Sequence, residues 1–224
     1  MATVSQTSEL SPFVAVDLHA VGDLVIEAPE AGGPPTLTVD TAEAILPKLR
    51  SEVKDDRLVL TFDLKWWEWI TWWFKWMTLS DKKVKYTLNA SGINEIRITG
   101  SSTVSADSLT TDKLALKITG SGKIRMAALE TGQLSIRVSG SGDLTLAGKA
   151  GQQEINISGS GKVDAQDLET DRTQITISGS GSTKVRAKTE LTVKISGSGR
   201  VSYFGEPQTL TQRVSGSGRI EKLG

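Results

Sequence analysis

Ser-Gly-Ser-Gly returns along this 224-residue chain at a nearly fixed interval, and that interval constrains the fold more than any other feature. It stands at 139–142, 158–161, 178–181, 196–199 and 215–218. Thr-Gly-Ser-Gly at 119–122 is the same motif, and Thr-Gly-Ser-Ser at 99–102 is a weaker copy. Counted at the first glycine, the steps are 20, 20, 19, 20, 18 and 19 residues. A repeat of that length, built of strand and turn residues without a helix, is the signature of a stacked solenoid.

Every repeat has one grammar. An alternating strand enters the motif, as in Leu114, Leu116, Ile118 and in Leu134, Ile136, Val138, with polar residues between. A shorter alternating strand leaves it, as in Ile124 and Met126 or Leu144 and Leu146, and a second, polar turn follows. Period-two alternation marks a strand with one buried face. Neither strand buries that face within its own coil. Stacking like strands in parallel, about 4.8 Å apart, buries both. The expected fold is all-β, a parallel β-helix of about 19 residues per coil. A sandwich would need hairpins, and would not require one tetrapeptide at one phase. Residues 91–224 hold the regular repeats, residues 12–224 read as one β-helix domain, and the polar residues 1–11 as a flexible arm.

Gly120, Gly122, Gly140, Gly142, Gly159, Gly161, Gly179, Gly181, Gly197, Gly199, Gly216 and Gly218 form the expected corner ladder. Glycine reaches φ > 0 without a clash, so two per corner turn the chain sharply, and small side chains let corners stack. The serine hydroxyls are expected to bond neighbouring backbone or one another up the stack. The ladder reads first as a stacking device, and its flat polar face is also a candidate binding surface.

Residue types exclude much chemistry. There is no cysteine and a single histidine, which removes disulfides, thiolate chemistry and ordinary zinc sites. His19 has Asp17 two residues away on one strand face, read as a surface pair rather than a catalytic dyad, and no nucleophile elbow occurs. Gly122-Lys123 and Gly161-Lys162 lack the glycine and hydroxyl offsets of a phosphate loop. Only Gly142-Asp143 supplies an aspartate at the phase a calcium roll needs. No cofactor and no metal are expected. Carboxylates such as Asp107 with Asp112, or Asp164 with Asp167, leave a polysaccharide-active enzyme as the least favoured reading. Acidic and basic residues balance at 26 each, without the basic run of a nucleic-acid binder. The opening MATVSQTSELSPF has neither the basic nor the apolar region of a secretory signal.

All six tryptophans fall in one stretch. As a helix over 65–79, Lys65, Glu68, Thr71, Lys75 and Thr78 make a narrow polar stripe. Trp66, Trp67, Trp69, Trp72, Trp73, Phe74, Trp76 and Met77 fill the apolar remainder. Strand signals on both sides make this an inserted amphipathic helix near the N-terminal end. Three roles stay open: a cap on the end of the β-helix, contact with a membrane interface, or contact with a protein partner or second copy.

The repeated strand plus Ser-Gly-Ser-Gly, the opening FVAVDLHAVGDLVIE from Phe13, LPKL at Leu46, VKDDRLVL at Val53 and NASGINEI at Asn89 resemble the "putative auto-transporter adhesin, head GIN domain" family over about residues 12–223. The resemblance implies a right-handed parallel β-helix, a cell-envelope or secreted location and an adhesin role, with no catalytic residues to carry over. The tryptophan-rich insertion departs from the family's shorter polar connection. The expectation is a non-catalytic envelope binding module that takes a glycan or surface ligand and is tethered or oligomerised through 66–77. The alternative is a structural subunit forming homo-oligomers or stacked rods.

Overall fold

The computed structural model describes residues 3–19, 21–28, 33–62 and 84–223. Among them the chain is a β-solenoid with no α-helix, only a short 3-10 turn at Leu46–Lys48. The tryptophan-rich helix expected over 65–79, with contact residues Trp66 to Met77, lies outside the described residues.

The repeats form five long strands: β9 (Thr103–Gly120), β10 (Lys123–Gly140), β11 (Asp143–Gly159), β12 (Lys162–Gly179) and β13 (Ser182–Gly197). Each starts after one glycine corner and ends at the next. All pair in parallel with their sequence neighbours, as the repeat requires. Pairing runs through the second, polar turn, which is a bend in a continuous strand. Variation in coil length is absorbed there: Met126 pairs with Leu146, but Leu129 pairs with Gly148, so one residue is dropped between them. The glycine corner keeps its length while the polar corner gives.

The first rungs are not stacked in chain order. β2 (Ala15–Leu18) and β3 (Asp23–Glu27) form one rung, followed in sequence by β4 (Thr36–Ala42), β5 (Leu49–Lys54), β6 (Arg57–Phe62), β7 (Lys85–Asn89) and β8 (Glu95–Gly100). β2 lies between β6 and β8, and β3 lies between β7 and β9. The β6–β7 rung is therefore outermost, and the chain steps across the β2–β3 rung to reach β8. Antiparallel strands close that end: β5 on β6, β4 on β7, and β1 (Thr3–Glu9) on β4. The residues expected as a flexible arm thus hold an edge strand. Its polar sequence follows from an edge position with little to bury.

Inward side chains stack in columns. Leu58, Val16, Ile96, Leu116, Ile136, Ile155, Ile175 and Val193 form one such column, each fully buried. At about 1.5–3 kcal/mol per buried aliphatic side chain, these columns are the main source of cohesion. A neighbouring column runs Leu114, Leu134, Gln153, Thr173, Leu191. Gln153 is 3% exposed, and neither atom of its amide has a hydrogen-bond partner. Thr173 meets the Thr170 hydroxyl at 2.5 Å, and Thr170 donates to the Arg186 carbonyl at 2.7 Å.

Gln153→Leu restores the apolar column and removes an unpartnered amide. It is expected to raise unfolding stability by about 1–3 kcal/mol, read as a higher urea midpoint at unchanged slope. A lower midpoint would show that the amide is satisfied in solution.

Candidate functional site

The sequence-selected corner glycines come together in one straight edge, with two different tasks. Gly120, Gly140, Gly159, Gly179, Gly197 and Gly216 have φ between +112° and +126°. A Cβ on Gly140 would stand 2.5 Å from the Gly120 carbonyl oxygen. Gly122, Gly142, Gly161, Gly181, Gly199 and Gly218 do not have positive φ. Instead they face a β-branched residue of an earlier strand, as Gly142 does: a Cβ there would meet Ile118 Cγ2 at 2.7 Å. The expectation that both glycines turn the chain is corrected: the first turns it and the second makes room.

Backbone groups hold this edge together. The Ser141 N–H donates to the Gly120 carbonyl at 2.8 Å, and the Asp143 N–H to the Gly122 carbonyl at 3.0 Å. The pattern recurs at Ser160, Lys162, Ser180, Ser182, Ser198 and Arg200. The serine hydroxyls do not bond up the stack as expected. Ser139, Ser141, Ser158 and Ser160 are exposed and bond no described residue through their side chains. The main chain meets the same need at strand spacing, which leaves the hydroxyls to solvent.

The polar corner carries an open groove that the sequence did not single out. Lys113, Gln133, Gln152, Arg172 and Glu190 stack in register along one side. Gly132 and Gly151 form a floor so tightly stacked that a Cβ on Gly151 would lie 2.8 Å from the Gly132 carbonyl. Asp112 and Asp171 bound that floor. The groove extends past Asn94, Glu154 and Gln174. The amides of Asn94, Gln133, Gln152 and Gln174 are exposed and offer both donors and acceptors. The signal was present as recurrent Gln at one phase, but polar turn residues are common enough to hide it.

Near the outermost rungs an ion network crosses four strands. Arg57 Nη1 donates to Asp17 Oδ1 at 2.8 Å, and Arg57 Nη2 to Glu95 Oε2 at 3.2 Å. Glu95 Oε1 accepts from Lys117 Nζ at 2.8 Å and from Arg97 Nη2 at 3.0 Å. Burial pushes the Glu95 carboxyl up, but the hydrogen bonds and charges of Lys117 and Arg57 outweigh it and bring it from an ordinary 4.5 to about 2. Asp17 is buried in this network, which corrects its reading as a surface partner of His19. Asp164 lies 3.8 Å from Lys184, while Asp107 and Asp167 are exposed. Among the described residues, no three His, Asp or Glu side chains gather to hold a metal ion.

The end of β6 and the residue before β7 lie beside the β2–β3 corner: the His19 N–H donates to the Leu60 carbonyl at 2.9 Å, and the Asp23 N–H to the Val84 carbonyl at 2.9 Å. Val21, 52% exposed, belongs to that corner.

The family described as "Putative auto-transporter adhesin, head GIN domain" matches residues 15–207, and the chain belongs to it. A putative adhesin of Bacteroides fragilis NCTC 9343 shares the fold with a TM-score of 0.87 at 22% identity, over 99% of this chain and 97% of that one. A putative lipid binding protein of Parabacteroides distasonis ATCC 8503 does so with a TM-score of 0.78 at 21% identity, over 99% and 97% of the two chains. A putative adhesin of Parabacteroides merdae ATCC 43184 follows with a TM-score of 0.71 at 19% identity, over 99% and 96%. No curated protein matches.

Two measurements check the edge and the network. Gly140→Ala carries a strained backbone, at about 1–3 kcal/mol, plus a collision with Gly120. Gly100→Ala has a similar φ of +113° but open space around its Cβ. The first is expected to be clearly the less stable in urea; equal losses would mean that φ alone matters. Glu95→Gln is expected to lower stability at pH 7 by about 1–3 kcal/mol. Because the folded Glu95 carboxyl lies below its unfolded value, its contribution is present above about pH 4.5 and fades towards about pH 2. The difference between wild type and variant should shrink over that window, and a constant gap would point to packing instead.

Proposed function

We propose that this member of the family is a non-catalytic binding module of the cell envelope, which holds a surface ligand in the amide-lined groove. The observation that carries this reading is the groove itself: four exposed amides beside a glycine floor, fixed by in-register strands. The backbone of such a surface is fixed before binding, so no loop has to be ordered on contact. Amides paired with Lys113, Glu154 and Arg172 match the hydroxyls and carbonyls of a glycan or an extended protein segment. The adhesin names of the family and of its structural relatives point the same way.

Attachment is assigned to residues 66–77, either at a membrane interface, where tryptophan is favoured, or at a partner. Exposed Val21 beside the flanks of this segment supports an apolar contact on that side. The lipid-binding name of the Parabacteroides distasonis relative supports the membrane alternative. A second reading, a structural subunit, draws on the other end of the solenoid. There β15 (Thr209–Gly216) and β16 (Arg219–Lys222) each pair on one side only among the described residues, and Leu210 and Val214 are 41% and 43% exposed.

Gln133→Ala with Gln152→Ala is expected to weaken binding to immobilised envelope glycans and proteins by about tenfold, at unchanged melting temperature. Binding equal to wild type would sink the groove assignment. Deleting 66–77 is expected to abolish liposome flotation at unchanged sedimentation mass. Retained flotation with a lost oligomer would favour the structural subunit.

A further inference from the structure

Charges on this solenoid follow two different rules. At the polar corner they alternate up the stack: Glu130 pairs with Lys149, and Lys149 with Glu169. Lys188 then closes on Glu169 at 2.7 Å. In this column Lys149 and Lys188 each stand beside a carboxylate of a neighbouring rung.

The glycine edge does the opposite. Two residues before the corner hydroxyl the column reads Arg97, Lys117, Arg137, Asn156, Thr176, Lys194, Arg213. Just after the corner it reads Thr103, Lys123, Asp143, Lys162, Ser182, Arg200, Arg219. The chain as a whole is neutral, with 26 charges of each sign, yet from Arg97 and Thr103 onward these two columns hold nine cations and one acid, Asp143; Asp17 continues the first column, and Asp23 and Lys85 the second, on the outer rungs. Lys117 with Arg137, Lys194 with Arg213, and Arg200 with Arg219 are direct rung neighbours, about one strand spacing apart. Like charges so placed are destabilising. Arg97 and Lys117 are drawn into the Glu95 network. Arg137, Lys194 and Arg213 on one flank, and Lys123, Lys162, Arg200 and Arg219 on the other, are exposed and have no ion-pair partner among the described residues.

We propose that this basic edge binds a linear polyanion, an acidic polysaccharide lying along the solenoid axis. Its carboxylates meet cations from both flanks, and its hydroxyls meet the exposed serine rows between them. Glycine leaves the strip between the flanks flat, so a chain can lie against it over several rungs. Charge complementarity supplies the attraction and relieves the like-charge stacking. Single-stranded nucleic acid is disfavoured because no aromatic side chain stands at the corners from 119 to 218 for bases to stack upon. A bilayer is disfavoured because the corners from 119 to 218 present only Ser, Thr and Gly, with nothing apolar to bury. The edge is separate from the amide groove, and the proposal does not rest on that assignment.

The test uses the whole chain and soluble polygalacturonate as probe, with dextran, duplex DNA and anionic phospholipid vesicles as comparators, at low and moderate salt. Wild type is expected to bind polygalacturonate, more weakly as salt rises, and to ignore dextran. Arg137→Gln, Lys162→Gln and Arg200→Gln together should weaken binding by about tenfold and flatten the salt dependence. A charge-matched control away from the edge, Lys54→Gln, Lys149→Gln and Lys188→Gln, should change it less than about twofold. The groove pair Gln133→Ala and Gln152→Ala should leave it unchanged, which separates this proposal from the groove reading. Both triple variants alter exposed side chains, and their melting curves confirm folding. No binding at low salt, equal loss in the control triple, or DNA or vesicles bound as tightly as polygalacturonate would each overturn the proposal.

Discussion

The contact on which the rest depends is a main-chain one: the N–H after each corner glycine donating to the glycine carbonyl one rung away, at 2.8–2.9 Å. It repeats from Ser121 to Ser198 and sets successive corners at strand spacing. A Cβ on the first glycine would fall on that carbonyl, and a Cβ on the second would fall on an isoleucine or valine behind it. Because the corner cannot vary, neither can the phase of the strands beside it. Ile96, Leu116, Ile136, Ile155 and Ile175 then meet face to face with no freedom to slip, since a one-residue slip would turn every one of them outward.

Rigidity at one corner puts the adjustment at the other. Register shifts sit at the polar turn, between Met126 and Leu129 or between Thr145 and Ala147. The same region carries Gly148 in place of a leucine, the buried Gln153 and the open groove. Variation is tolerated where side chains and bends absorb it. In such a solenoid surfaces follow the columns: one position, repeated over rungs, makes a continuous strip. The amide groove and the basic edge are both of this kind, and neither depends on a single residue.

The regular part of the fold was legible because two signals agreed. Period-two alternation named the inward residues, and the tetrapeptide named the corner; Leu114, Ile136, Val163 and Ile195 are buried as their phase requires. Thr3–Glu9 misled because an edge strand with little to bury reads like a disordered arm. Gln153 was overlooked because its polarity hides a position in phase with Leu134. The flanking cations were visible one by one as Lys123 or Arg200, but their meaning as a column needs the register.

By itself the sequence determined the all-β repeat, the coil length and the parallel stacking of residues 103–216, because a corner that admits only glycine recurs with the strand pattern. Tertiary structure alone decided that β6 and β7 lie outside β2 and β3, and that antiparallel strands close that end. The reason is physical. Short strands with two inward apolar residues, such as Val16-Asp17-Leu18 and Leu58-Val59-Leu60, are interchangeable as sequence. The partly buried ion pairs of Asp17 with Arg57, and of Glu95 with Arg57, Arg97 and Lys117, tie these rungs together in the order observed.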